Sequence, residues 1–134
     1  MAELSDDVRT LLDGKHLWHV ATVNPDGSPQ VTPMWVGLRD GRILLNSADG
    51  RVKVRNLRHD GRVALSVVSP DSVYANAAIQ GQVVEIVDGE QADADIDSLA
   101  KKYLGANSYP FRQPGESRVS FWVEPTHVWY RPPR

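Results

Sequence analysis

The strongest constraint on the fold of this chain is a run of alternating apolar and polar residues in its first half, broken by aspartate–glycine turns. HLWHVATV is followed by NPDG, SPQVTPMWVGL, RDG and RILLNS. Asp-Gly between runs of β-branched and aromatic residues is the sequence signal for β-hairpins. Pro29 and Pro33 cannot donate to a strand ladder, so the second strand is predicted to be an edge strand or to be interrupted near them.

The rest of the chain adds further strands and short helices. RVALSVVS and SVYANAAIQGQVVEIVD predict two strands, with a bulge or bend at Gly81, and RVSFWVEP and THVWYR predict two final strands. Helices are predicted over residues 3–13 with Ser5 as N-cap, over the basic segment after Ser47, and over residues 90–104. This pattern predicts a mainly β fold with short helices, a small antiparallel barrel whose closure removes exposed strand edges.

Composition excludes several classes of function. The length of 134 residues fits one domain, residues 1–134. The absence of cysteine excludes thiolate chemistry and favours the cytoplasm, and the four histidines lack metal-ligand spacing, so no metal is predicted. No apolar run approaches the roughly 20 residues of a membrane span, and MAELSDDVRTLLDGK does not resemble a secretory signal. The net charge of −2 argues against nucleic-acid binding.

A basic segment, NSADGRVKVRNLRHDGR at residues 46–62, stands out in this slightly acidic chain. At the start of a helix, free backbone N–H groups, a hydroxyl and cations can converge on one phosphate. The residues assigned to a phosphate are Ser47, Arg51, Lys53 and Asn56, and those assigned to solvent or to a subunit contact are Arg55, Arg58 and Arg62. The alternative is a solvated arginine face, partly neutralised by an acidic block at residues 85–97 that is itself predicted to be solvated.

The order of these segments resembles the pyridoxamine phosphate oxidase-like, split-barrel flavoprotein superfamily. The resemblance runs from about His16 to Trp129, and its most specific parts are ATVNPDGSPQVTPMWV and GRVKVRNLRHDGRVAL. More narrowly, the chain resembles actinobacterial oxidoreductases that depend on coenzyme F420, an 8-hydroxy-5-deazaflavin. The resemblance implies a homodimer of FMN-binding-like split barrels, each with about six antiparallel strands and with cofactor sites at the subunit interface.

The resemblance also implies roles for individual residues. The cofactor ring would be lined by Gln30, Thr32, Pro33, Met34 and Trp35, although base rates for tryptophan equally favour barrel core for Trp35. Gln80 would approach the ring edge, and Tyr74 with the last strands would reach the second subunit's site. The chain ends soon after VWYRPPR, without the longer C-terminal segment of true pyridoxamine phosphate oxidases, so vitamin B6 oxidation is not expected.

Three functions follow from this resemblance. The first is F420-dependent hydride transfer between the deazaflavin C5 and an unsaturated small-molecule substrate. The second is an oxidoreductase of the same fold that carries FMN, and the third is a non-catalytic protein that carries F420 or a flavin. No side chain is assigned as catalytic, since the cofactor itself carries such chemistry.

Overall fold

One antiparallel sheet of seven strands and three helices make up the computed structural model, which describes residues 1–134. The mainly β, split-barrel prediction is confirmed, with seven strands rather than about six. The elements are α1 (Asp6–Asp13), β1 (Trp18–Val23), β2 (Pro29–Met34), β3 (Gly37–Arg39), β4 (Arg42–Ala48), α2 (Val52–His59), β5 (Arg62–Val68), β6 (Asn76–Asp88), α3 (Gly89–Leu104) and β7 (Arg118–Arg131).

The sheet is open, so the predicted closure of the barrel is wrong. Its strand order is β2-β1-β5-β6-β7-β4-β3, and the edge strands β2 and β3 are consecutive in the chain, joined only by Trp35 and Val36. Pro29 and Pro33 have no N–H to offer a further strand, which makes β2 an edge strand as predicted. Between these two edge strands, the backbone of Val36 forms hydrogen bonds with side chains of α3 and not with a neighbouring strand.

The last strand is continuous, whereas the sequence predicted two strands separated near Pro125. β7 pairs with β6 along one side and with β4 along the other. The register with β6 shifts between Gln80 and Gly81, so that Thr126 is the extra residue of a bulge and Pro125 lies opposite Gly81. A Cβ at Gly81 would come within 2.5 Å of Val123 Cγ1, so the predicted bulge at Gly81 is confirmed and requires a glycine.

Two apolar clusters lie on opposite faces of β7. The larger contains 20 buried residues, among them Trp18 and Phe121, between the curved sheet and the helices α1 and α2. The smaller packs α3 against the other face of β4 and β7 through Leu44, Ile96, Leu99 and Trp122. Six consecutive residues of β7, from Arg118 to Val123, are therefore buried, which is why its sequence does not alternate cleanly.

The helices follow the sequence signals at their ends with one exception. Ser5 caps α1 by accepting a hydrogen bond from the N–H of Val8, and α3 agrees with the predicted helix to within one residue. The start predicted for α2, after Ser47, is wrong, because Ser47 lies in β4 and the N-cap position is Arg51. No helix is long and apolar enough to cross a membrane.

The arginine face predicted on α2, which comprised Arg55, Arg58 and Arg62, is shorter than expected. The helix ends at His59, and Arg62 is the first residue of β5, where it pairs with Asp60 at 2.7 Å. Arg55 and Arg58 lie on α2 and are exposed, as predicted for its outer face.

Candidate functional site

A cleft of about 190 Å³ brings together six of the predicted site residues. The end of β2 and the connector after it contribute one wall, β4 contributes a serine, and the start of α2 contributes two cations. These six residues are Pro33, Met34, Trp35, Ser47, Arg51 and Lys53. Three residues predicted to line a ring therefore lie in the same cleft as three residues predicted to hold a phosphate.

The polar side of the cleft is cationic. Arg51 is exposed, Lys53 is half-buried and Arg118 is buried, and no carboxylate lines the cleft. Burial lowers the pKa of Lys53, and the neighbouring charges of Arg51 and Arg118 lower it further. Burial likewise lowers the pKa of Arg118. A bound anion would relieve this repulsion among like charges.

Ser47 presents a buried hydroxyl that forms no hydrogen bond within the protein. It is 2% exposed and lines the cleft beside Arg51 and Lys53. An unpaired buried polar group costs about 1–3 kcal/mol unless a ligand or water satisfies it. A phosphate oxygen is an acceptor for this hydroxyl, so the residues present fit a phosphate-bearing group.

The apolar side of the cleft is aromatic. Trp35 stacks on Tyr103 with ring centroids 5.1 Å apart and planes 7° from parallel. Tyr109 meets Trp35 edge-on at 6.1 Å, and Phe111 meets Tyr109 edge-on at 5.8 Å. Trp35 packs against the smaller apolar cluster, the one beside α3, and not against the larger one. It also lines the cleft, which favours its predicted place beside a cofactor ring over a place in the barrel core.

The end of α3 holds the connector that carries Trp35. The hydroxyl of Tyr103 donates to the carbonyl of His16 at 2.7 Å and accepts from the N–H of Val36 at 3.1 Å. Lys102 Nζ donates to the carbonyls of Leu12 and Val36 at 2.6 and 2.7 Å. Burial lowers the pKa of Lys102 to about 8. The backbone N–H and the carbonyl of Val36 therefore both have hydrogen-bond partners on α3.

Tyr103→Phe is expected to lower the free energy of unfolding by about 1–2 kcal/mol, because two hydrogen bonds disappear and the buried Val36 N–H loses its partner. Urea unfolding measures this loss. Tyr130→Phe is the matched control, since the Tyr130 hydroxyl forms no hydrogen bond in the structure. Equal stability of the two variants would show that Tyr103 does not tether the connector.

Three predicted residues of β2 and α2 lie outside the cleft. Asn56 is 1% exposed on the inner face of α2, and its Nδ2 donates to Thr22 Oγ1 and Asn24 Oδ1 at 3.0 and 2.9 Å. Gln30 Oε1 accepts from the same Thr22 hydroxyl at 3.1 Å. Thr32 has a buried hydroxyl without a partner. The structure thus joins Gln30 and Asn56 through Thr22, apart from Arg51 and Lys53.

The remaining two predicted residues, Gln80 and Tyr74, also lie outside the cleft. Gln80 lines a second cleft of about 440 Å³ together with Gly81, Thr126 and His127. Tyr74 is 48% exposed, and the guanidinium of Arg134 lies 5.0 Å from its ring centroid. Neither lines the cleft around Lys53, so a role for them at the cofactor stays a prediction.

Sequence reasoning missed several residues that line the cleft. Arg118 and Asn46 come from β7 and β4, and Tyr109 and Phe111 come from the loop after α3. The loop NSYPFRQPGES offered a signal, because two aromatic side chains in an otherwise polar loop are unusual. Arg118 offered a weaker signal, because it is a cation immediately before the largely apolar run VSFWV.

Comparison with known proteins places this fold and cleft in a family. Residues 4–132 match the family model described as pyridoxamine 5'-phosphate oxidase. The chain belongs to this family. No curated protein matches the chain in sequence.

Solved structures share the fold of this pyridoxamine 5'-phosphate oxidase family member. An F420 reductase is 30% identical, with a TM-score of 0.81 over 94% of this chain and 98% of its own. The conserved hypothetical protein Rv2991 from Mycobacterium tuberculosis is 22% identical, with a TM-score of 0.73 over 98% of this chain and 86% of its own. The heme storage protein HutZ from Vibrio cholerae is 12% identical, with a TM-score of 0.70 over 97% of this chain and 96% of its own.

The lowered pKa of Lys53 predicts how anion binding in this family member depends on pH. A bound phosphate favours the charged lysine, so binding raises a pKa that burial, Arg51 and Arg118 hold below 10.5 in the free protein. The affinity for a phosphate-bearing ligand should therefore be highest at neutral pH and should fall as the pH rises through the lowered pKa of Lys53. Dissociation constants for FMN between about pH 7 and pH 10 test this, a range above the phosphate's own pKa of about 6.

Lys53→Arg is the matched control for this pH dependence. Arginine stays charged throughout that range, so the variant should bind FMN with a nearly constant dissociation constant. An equal decline in both proteins would assign the pH dependence to a group other than Lys53.

Proposed function

We propose that this chain is an F420-dependent oxidoreductase that transfers hydride between the deazaflavin C5 and an unsaturated organic substrate. The observation that carries the proposal is the cleft itself, where an aromatic wall containing Trp35 adjoins a carboxylate-free cationic side with the unpaired Ser47 hydroxyl. The F420 reductase that is 30% identical over nearly the whole chain supports the choice of cofactor.

The protein's own residues bind and orient in this proposal. The bound deazaflavin would supply the hydride. Ser47, Arg51 and Lys53 would anchor its phosphate, and Trp35, held from behind by Tyr103, would present a flat surface to its ring. No carboxylate or histidine lines the cleft, so the proton that completes a reduction would come from solvent.

Two other functions keep specific support. FMN also presents a phosphate near a ribityl chain, so the cationic side of the cleft fits it equally. A non-catalytic carrier is favoured by the lack of a carboxylate or histidine in the cleft, and the fold is shared with a heme storage protein.

Parallel titrations of the cofactor-free protein with F420 and FMN separate these functions. We expect tighter binding of F420, followed by oxidation of reduced F420 when quinones, enones or tetrapyrroles are added, measured by absorbance. Tighter binding of FMN would replace the first function with the second. Tight binding of F420 without turnover of any acceptor would favour the carrier.

We also propose that the protein is a homodimer, because one face of the sheet exposes apolar side chains on five adjacent strands. The paired registers place Ala21 between Val31 and Ala64, and Ala78 beside Trp129. Val31 and Trp129 are 60% and 53% exposed. This outer sheet face comprises Ala21, Val31, Ala64, Ala78 and Trp129. Sedimentation at micromolar concentration should give a dimer that Val31→Glu dissociates, and a monomeric wild type would contradict the proposal.

A further inference from the structure

Arg118 is the most buried cation of the cleft, at 4% exposure. Its Nε donates to Asn46 Oδ1 at 2.9 Å, and its guanidinium lies 4.9 Å from the ring centroid of Tyr109. Nη1 forms an ion pair with Glu116 Oε1 at 3.3 Å but is not aligned for a hydrogen bond. Arg118 therefore lines the cleft, and its Nη1 is a buried donor that the protein leaves without a hydrogen bond.

A chain of buried hydrogen bonds runs from Arg118 to a carboxylate on α3. Asn46 accepts from Arg118 and donates through Nδ2 to Ser120 Oγ at 2.9 Å. The Ser120 hydroxyl in turn donates to Asp95 Oδ2 at 2.7 Å. Asp95, Ser120 and Asn46, here called the Asp95 relay, are 1%, 0% and 6% exposed. Asp95 was predicted to belong to a solvated acidic block, and this is wrong.

The direction of each hydrogen bond in the relay fixes the next. An ionised Asp95 only accepts, so Ser120 must donate to it, and the Ser120 oxygen then accepts from the Asn46 amide. The Asn46 carbonyl oxygen consequently faces Arg118 and holds its Nε. A direct ion pair with Asp95 would have occupied the guanidinium. Two neutral side chains between the charges instead leave both Nη atoms free of Asp95, with Nη1 beside Glu116.

We propose that Arg118 is a third phosphate-binding group of this cleft, and that Asp95 positions it through Ser120 and Asn46. The inference rests on the proposed binding of a phosphate-bearing cofactor. Arg118 also borders a neighbouring cleft that contains Asp49, Asp88, Asp93 and Glu116, so balancing those carboxylates is the competing role. That role predicts no effect on phosphate binding.

The test compares ligands with and without the phosphate, and FMN and riboflavin differ in the phosphate alone. Dissociation constants are measured for FMN and riboflavin, and for F420 and its deazaflavin riboside without phosphate. Arg118→Met should weaken FMN or F420 about tenfold to hundredfold, as expected for a lost charged hydrogen bond, and leave the phosphate-free partner within about twofold. Arg118→Lys should recover part of the loss. If the binding of both ligands were weakened equally, or if neither were weakened, the proposed role of Arg118 would be overturned.

Asp95→Asn tests the relay, with the same ratio of dissociation constants as its readout. We expect the preference for the phosphate-bearing ligand to fall about threefold to tenfold, since Arg118 keeps its charge but loses its fixed orientation. Glu90→Gln on the same helix is the control, because Glu90 is exposed and lines neither this cleft nor the neighbouring acidic one. Reduced stability with an unchanged ratio would overturn the positioning role. Should Asp95→Asn not fold, Ser120→Ala interrupts the same relay.

Failure of the proposed function is separable from failure of this inference. A wild type that binds neither cofactor better than its phosphate-free partner contradicts the proposed function. In that case calorimetry with inorganic pyrophosphate tests the anion site alone. Weaker pyrophosphate binding by Arg118→Met would still support the inference, and unchanged or absent binding would overturn it.

Discussion

Lys53→Ala is expected to weaken the binding of a phosphate-bearing cofactor by about 1–3 kcal/mol, the loss typical of a charged hydrogen bond. Lys53 is half-buried at the start of α2 and lines the cleft with Arg51, Ser47 and Arg118. Partial burial and the charges of Arg51 and Arg118 lower the pKa of Lys53, so its charged form is disfavoured in the free protein. Such a cost is expected at a binding site, where a ligand offsets it.

Arg55→Ala is the matched control for Lys53→Ala. Arg55 is a cation two residues further along the same helix, but it is exposed and does not line the cleft. Isothermal titration with F420 and with FMN should therefore show little change for this variant. Unchanged affinity in Lys53→Ala would refute the phosphate assignment, and equal losses in both variants would indicate a long-range effect of net charge.

The local features of the fold could be predicted from sequence because neighbouring residues determine them. Ser5 is followed by a helical apolar pattern and does cap α1. Gly81 interrupts a long strand pattern, and the register does shift there, at a position where a side chain would collide with Val123. Asp-Gly turns likewise separate strands that pair as hairpins, as β3 and β4 do.

Features that depend on distant contacts could not be predicted in this way. Pro125 suggested a strand end, but the bulge opposite Gly81 accommodates it and β7 continues to Arg131. Closure of the barrel was predicted from the number of strands alone. Whether the edges meet depends on the Val36 connector, whose backbone bonds to Lys102 and Tyr103, more than 60 residues away in sequence.

The same limit applies to the site. Lys53 and Ser47 could be proposed from a short basic segment and a family resemblance, and both line the cleft. Asn56 belongs to that segment too, but helical periodicity turns it inward with Val54 and Leu57. Arg118 is fixed by Asn46, 72 residues earlier in the chain, and no local pattern reports such a contact.

The two phenylalanines of the chain offer a matched pair that separates stability from binding. Phe121 is 1% exposed in the large apolar cluster, whereas Phe111 is 58% exposed in the loop at the cleft. Phe121→Ala should lower the free energy of unfolding by about 3–5 kcal/mol, because it removes a buried ring and leaves a cavity. Phe111→Ala should change it by about 0.5 kcal/mol or less, as for other surface substitutions.

Cofactor binding should show the opposite order. Phe111→Ala removes part of the aromatic wall and should weaken F420 or FMN by about 1 kcal/mol. Phe121→Ala should leave the affinity of the folded protein unchanged, because Phe121 points into the barrel and does not line the cleft. Urea unfolding with an unchanged m value checks the two stability changes. Titration with cofactor at low temperature checks the two affinities. If Phe121→Ala also weakened binding, then β7 would couple the barrel core to Arg118, and the cleft would depend on core packing as well as on the residues that line it.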